Sequence, residues 1–104
     1  MRTLRLALAQ TNTTVGDLES NTSKVLKYIE EAKKLHADVV AFPEMTITGY
    51  PPEDLLFKKS FLRANISKLE EISKASHGIT VIVGFVDGED DIYNAAAILR
   101  DGNF

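Results

Sequence analysis

Ala37-Asp38-Val39-Val40-Ala41-Phe42-Pro43-Glu44 reads as a short apolar strand closed by a proline and followed at once by a carboxylate. Pro43 lacks an N–H and fixes φ, so a paired central strand cannot run through it. Glu44 is thereby placed at the carboxyl end of a buried strand, the rim where open α/β sheets gather their chemistry. The residues that follow, Gly49-Tyr50-Pro51-Pro52, permit a positive φ at the glycine and stiffen an extended loop at the prolines. Such a loop is suited to form one wall of a pocket over Glu44.

Upstream, Leu4, Leu6 and Leu8 alternate with Arg5, Ala7 and Ala9, a period of two that ends at Gln10 before Thr11-Asn12-Thr13-Thr14. This predicts a first strand whose small alanines face a covering layer. Asp17 is a candidate N-cap, and Leu18, Thr22, Val25, Ile29, Ala32 and Leu35 recur at helical spacing with Glu30, Glu31, Lys33 and Lys34 mostly opposite. A long amphipathic helix running to about His36 is expected. It leads straight into residues 37–42, so the chain opens as strand, helix, strand, the unit that gives a right-handed parallel crossover.

Downstream, a second helix is expected over residues 60–76, capped by Ser60, with Leu62, Ile66, Leu69 and Ile72 on one face and Lys68, Glu70, Glu71 and Lys74 on the other. Ile79-Thr80-Val81-Ile82-Val83-Gly84-Phe85 is rich in β-branched residues and reads as a buried strand. A turn at Asp87-Gly88-Glu89-Asp90-Asp91 sends residues 92–100 back antiparallel, and Asp101-Gly102-Asn103 is a second hairpin turn. The strand that this turn should introduce is missing. The last strand is therefore expected to present an unpaired apolar edge, and residues 1–104 to be the front portion of a larger domain, since below roughly 150 residues the buried fraction is modest.

Composition narrows the function classes. Twelve Lys and Arg against 15 Asp and Glu give a formal net charge of -3, and 44% of the residues are hydrophobic, the balance of an ordinary soluble globular chain. The basic residues are scattered or paired with Glu, which leaves no footprint for a phosphate backbone, so nucleic acid is not an expected partner. Without cysteine there is neither a disulfide framework nor a thiolate metal site in this segment. No apolar run approaches the ~20 residues that span a bilayer, and Met1-Arg2-Thr3 does not open a secretory leader. A cytoplasmic location and no membrane partner are expected.

Phe42-Pro43-Glu44 followed by Thr48-Gly49-Tyr50 resembles the first signature of the carbon-nitrogen hydrolase (nitrilase) superfamily. Tyr50-Pro51-Pro52-Glu53-Asp54-Leu55-Leu56 resembles more narrowly the amino-terminal glutaminase domains of the glutamine-dependent NAD synthetases. The likeness extends from residues 4–10 to Tyr93-Asn94-Ala95-Ala96-Ala97 and Arg100-Asp101-Gly102. The resemblance implies an α/β fold, the amino-terminal part of an α-β-β-α nitrilase-like sandwich with about four strands and two main helices. It also implies that residues 1–104 are a partial glutaminase domain, truncated before the catalytic lysine and cysteine.

The superfamily cleaves carbon-nitrogen bonds with a glutamate, a lysine and a cysteine, and the resemblance maps only the glutamate, onto Glu44, as general base. A cysteine thiolate attacks the amide carbon while a nearby base takes its proton and later serves the leaving amine and the attacking water. A lysine ammonium and a backbone N–H stabilise the oxyanion. None of the lysines present falls in the family's lysine motif. For the parent, the resemblance implies glutamine as substrate, with the released ammonia passing to a carboxyl-terminal synthetase domain. There it amidates nicotinic acid adenine dinucleotide at the expense of ATP and magnesium. No phosphate-cradling glycine loop appears in these residues, so no cofactor is assigned to them, and a homo-oligomer is expected of the parent. A fragment of a stand-alone amidase, carbamoylase or nitrilase shares Phe42-Pro43-Glu44, and a non-catalytic half-domain that self-associates through sheet edges is the reading from another class.

Each residue also has a plainer reading. Glu44 taken by position alone is a solvated loop carboxylate. Tyr50, which the resemblance places in the substrate pocket, is equally a packed loop tyrosine. Asn94 is read as satisfying backbone groups rather than as catalytic. His36 and His77 are read as closing helices, not as metal ligands. Asp54 is read as a cap for Leu55-Leu56-Phe57 rather than as an acid paired, with Glu53, to Glu44.

Overall fold

The computed structural model describes residues 3–49, 58–88 and 93–103. Along them run β1 (Leu6–Leu8), α1 (Leu18–Lys34), β2 (Val39–Ala41), α2 (Lys59–Ser73), β3 (Thr80–Asp87) and β4 (Tyr93–Leu99). The four strands form one sheet in the order β1-β2-β3-β4. β1, β2 and β3 are parallel, each joined to the next through a helix, and β4 returns antiparallel. Parallel neighbours require such crossovers, whereas a hairpin serves the last pair.

Val40, Phe42, Val81, Val83, Ala97 and Leu99 share one buried cluster with Val25 and Ile29 of α1 and Leu69 and Ile72 of α2. Both helices therefore cover the same face of the sheet. Ala7 and Ala9 lean on that cluster, as the alternation in the first strand predicts. The other face carries no helix among the described residues: Leu6 is 54% exposed, Leu8 73% and Ile98 65%. Leu8, Ala41, Ile82 and Ile98 are register partners in a single row across all four strands. Contiguous apolar side chains in water are a surface that folded proteins cover. β4 forms one edge of the sheet, in line with the sequence reading.

Element ends follow local hydrogen bonding. Asp17 caps α1 as expected, its carboxylate accepting from Ser20 N at 3.0 Å. At the other end His36 adopts φ 58 and donates to Lys33 O, while Ala37 N donates to Ala32 O, both at 3.0 Å. This is a Schellman closure with histidine where glycine is usual. α2 departs from expectation at both ends. It starts at Lys59, with Lys58 at the cap position and no side-chain cap bond, so Ser60 lies inside the first turn and does not cap. Packing of the buried Leu62, Asn65 and Leu69, rather than a capping hydroxyl, sets that start. It stops at Ser73 rather than Ser76, because Ser73 Oγ donates to Glu70 O and Ser76 Oγ to Ser73 O, which turns the chain away from the helical ladder. His77, exposed beyond these turns, closes no helix.

The turn at residues 100–103 forms as expected. Arg100 and Asn103 exchange both backbone hydrogen bonds at 2.9 Å, and Asp101 and Gly102 take φ 50 and 83, the double positive φ of a two-residue hairpin. Asp101 N donates to Ser76 O at 2.9 Å and Gly102 N to Ser76 Oγ at 3.1 Å. No helix among the described residues is long and apolar enough to cross a membrane.

Candidate active site

β2 and β3 part company at Phe42, whose N–H still donates to Ile82 O at 2.8 Å. Pro43 has no N–H to continue, and the chain leaves the ladder in a tight turn before Ile47 N returns to Gly84 O at 3.4 Å. Glu44 sits in this excursion. Beneath it lies Gly84. A Cβ there would stand 2.5 Å from Met45 N, 2.9 Å from Pro43 O and 3.0 Å from Glu44 C, all backbone atoms. Only a residue without a side chain lets residues 43–45 lie this close to β3.

The turn is internally braced. Met45 takes φ 51, a left-handed conformation that costs a non-glycine residue on the order of 1 kcal/mol. The fully buried Thr48 places its hydroxyl 3.1 Å from Gly49 O and 3.3 Å from Met45 O, and Thr46 Oγ1 donates to Pro43 O. Gly49, at φ 78, has no room for a Cβ, which would meet Val15 Cα at 2.7 Å. Gly16 N donates to Thr48 O at 2.9 Å and joins the loop after β1 to the loop after β2.

Asn21, fully buried on α1, completes that junction. Its amide donates to Thr14 O at 2.8 Å and Ile47 O at 3.0 Å, and its oxygen accepts from Thr14 N at 2.8 Å. Asn65 on α2 acts similarly on β3, donating to Val86 O at 2.6 Å and accepting from Val86 N at 3.2 Å. Its carboxamide thus stands in for a neighbouring strand where β2 has turned away. Asn21→Ala would remove three hydrogen bonds between the two loops and leave the buried Ile47 O without its Asn21 donor, at about 2 kcal/mol. The expected result is a clear fall in the denaturation midpoint with an unchanged m-value.

Glu44 is exposed on the face that the helices leave bare, and Asn94 on β4 donates through Nδ2 to its Oε1. The two residues line an open concavity of about 340 Å³ together with Phe42, Pro43, Ile82, Gly84, Ala95 and Ala96. The carboxylate therefore stands at the carboxyl rim of the parallel strands, with one oxygen held and the concavity before it. Lys68 lies elsewhere, bound to Glu19 and Glu71. The hydrogen-bonded Glu19 carboxylate raises the Lys68 pKa most, partial desolvation opposes it and Glu71 adds to the rise, so this ammonium ties α1 to α2.

Of the residues singled out in the sequence, Glu44 and Asn94 are brought together. Asn94 corrects its reading: its amide bonds a carboxylate fifty positions earlier, not the backbone. Because Asn94 pairs with Val86 in the ladder, its side chain stands on the bare face, where backbone is already paired and Glu44 is within reach. Tyr50, Glu53, Asp54 and the turn at residues 55–57 lie outside the described residues. Gly84 and Asn21 were not picked out. An isolated glycine in a β-branched strand signals a close approach of backbone, so Gly84 was legible on that ground. Among the described residues no group of three or more His, Cys, Asp or Glu could hold a metal ion.

Residues 5–104 match the carbon-nitrogen hydrolase family model. This chain belongs to the carbon-nitrogen hydrolase family. Among curated relatives of this carbon-nitrogen hydrolase, the glutamine-dependent NAD(+) synthetase of Thermotoga maritima is 43% identical over 104 residues, 98% of this chain and 18% of that protein. A crystal structure of a glutamine-dependent NAD(+) synthetase from Cytophaga hutchinsonii superimposes with a TM-score of 0.93 at 32% identity, covering 98% of this chain and 18% of that one. The glutamine-dependent NAD+ synthetase of Acinetobacter baumannii, solved in complex with ADP, gives 0.86 at 37% identity over 95% of this chain and 19% of that one. The carbon-nitrogen hydrolase chain thus spans about a fifth of the length of these relatives.

Proposed function

We propose that these residues are the front part of the glutaminase domain of a glutamine-dependent NAD synthetase, with Glu44 as general base. The observation that carries the reading is Glu44 at the carboxyl rim of the sheet, on its open face and hydrogen-bonded to Asn94, in a chain 43% identical to the Thermotoga maritima enzyme. The lysine and cysteine of the triad come from chain beyond residue 104. That chain also supplies the second half of the α-β-β-α sandwich, whose sheet covers Leu6, Leu8, Ile82 and Ile98.

In this scheme Glu44 takes the proton of the cysteine thiol as sulfur attacks the side-chain carbonyl carbon of glutamine. The carbon-nitrogen bond breaks with the same proton passing to the leaving ammonia. Glu44 then takes a proton from the water whose oxygen attacks the thioester carbon; the carbon–sulfur bond breaks, the proton returns to the sulfur, and glutamate leaves. The free oxygen of Glu44 faces the concavity, and Tyr50 is the proposed substrate-binding residue. The ammonia serves a synthetase domain that consumes ATP and magnesium to amidate nicotinic acid adenine dinucleotide. ATP and magnesium are assigned to that synthetase domain, and no residue here is proposed to hold either, since the sequence has no glycine-rich phosphate loop. The complete protein is read as a cytoplasmic homo-oligomer.

The complete protein is expected to release equimolar glutamate and ammonia from glutamine. The isolated 104 residues should release neither, because loss of a nucleophile costs ~10⁶ in rate. Ammonia release by the isolated segment, or hydrolysis by the complete protein of other amides but not glutamine, would overturn the proposal.

A further inference from the structure

We infer that Asn94 is a positioning residue for glutamine hydrolysis, orienting the Glu44 carboxylate through its side-chain amide; this rests on the reading of Glu44 as base. Asparagine is disfavoured in strands, and Asn94 occupies a paired position in β4 where its side chain adds nothing to the ladder. Its amide spans fifty residues of sequence to meet one oxygen of Glu44. The sheet is shaped for that meeting. Gly84 pairs with Ala96 and Val86 with Asn94, so the two smallest side chains lie beside the turn and the amide lies one step further along the same face. Backbone seated on Gly84 fixes the root of Glu44, and Asn94 fixes its tip.

The chemistry of the partner matters. A base must present one carboxylate lone pair to the thiol, which leaves its other oxygen available to be held. A carboxamide donates a hydrogen bond without giving up its proton and without bringing a positive charge, so it holds the carboxylate in place and leaves it able to accept. A lysine or arginine here would form an ion pair with the base instead. The Asn94 amide also selects one rotamer of a side chain that is otherwise exposed, and so removes the search for the productive orientation from each turnover.

The test uses the complete protein with glutamine, and with ammonium chloride in place of glutamine as a folding control. Asn94→Ala is expected to lower glutamine kcat by about tenfold, the worth of one hydrogen bond to a charged group, with KM within about twofold. Asn94→Asp, nearly the same shape, is expected to be worse than alanine, by about 10²-fold in kcat, because it sets two carboxylates against each other. A merely structural asparagine would tolerate the isosteric aspartate better than the truncation, so aspartate milder than alanine overturns the inference. So does an unchanged glutamine kcat in both variants when Glu44→Gln is inactive. A fully active Glu44→Gln overturns the reading of the base itself. Ammonia-supported synthesis at the native rate in the Asn94 variants shows that the loss is local; a parallel loss of both activities overturns the positioning role.

Discussion

Glu44→Gln in the complete protein should lower glutamine-supported turnover by about 10²–10⁴-fold, the range typical for removing a general base. Glutamine has the same shape, and its carbonyl oxygen can still accept from Asn94, so the turn keeps its geometry and only the ability to take a proton is lost. Substrate affinity should change little, which separates this outcome from damage to the pocket. Synthesis from ammonium chloride bypasses the step and should continue at the native rate. Measuring both activities on one preparation is decisive, because unfolding would remove them together.

The second large effect is expected at a residue that touches no substrate. Gly84→Ala puts a Cβ 2.5 Å from Met45 N and within 3.0 Å of Glu44 C. Backbone cannot rotate away as a flexible side chain can, so the turn must lift off β3. Overpacking of this kind costs about 1–3 kcal/mol or more. The lifted turn also carries Glu44 away from the Asn94 amide, and a displacement near 1 Å is enough to cost about 10²-fold in rate. Calorimetry should record a lower melting temperature, and the glutamine assay a loss well beyond what the unfolded fraction explains. Gly84→Ala at native activity would mean that the turn is not seated where the structure has it.

Much of this fold was legible in the sequence because hydrophobic period and topology reinforce each other. Leu4 to Ala9 alternate, residues 18–35 repeat at helical spacing and residues 79–85 are β-branched, and each became the element its period required. The small alanines of the first strand even gave the correct covered face. Failures fall where packing or a single hydrogen bond outweighs local propensity. Ser60 has the chemistry of a cap but sits inside the first turn, and Ser73 and Ser76 bend the chain out of α2 through their own hydroxyls. Proline placement and local pattern gave Glu44 its position at a strand end. Its partner could not be seen that way, because the contact with Asn94 depends on the register of β3 against β4 and on a glycine that clears the path. Long-range polar contacts such as those of Asn21 and Asn65 have no local period, so linear patterns do not carry them.

The role of Glu44 is decided by an experimental structure of the complete protein with a glutamine-derived acyl group or an unreactive glutamine analogue in place. The free oxygen of Glu44 is expected within about 2.6–3.2 Å of the proton-bearing sulfur, leaving nitrogen or hydrolytic water, directly or through one water, with the other oxygen still on the Asn94 amide. A Glu44 carboxylate turned to bulk solvent, with another side chain beside the reacting atoms, would contradict it.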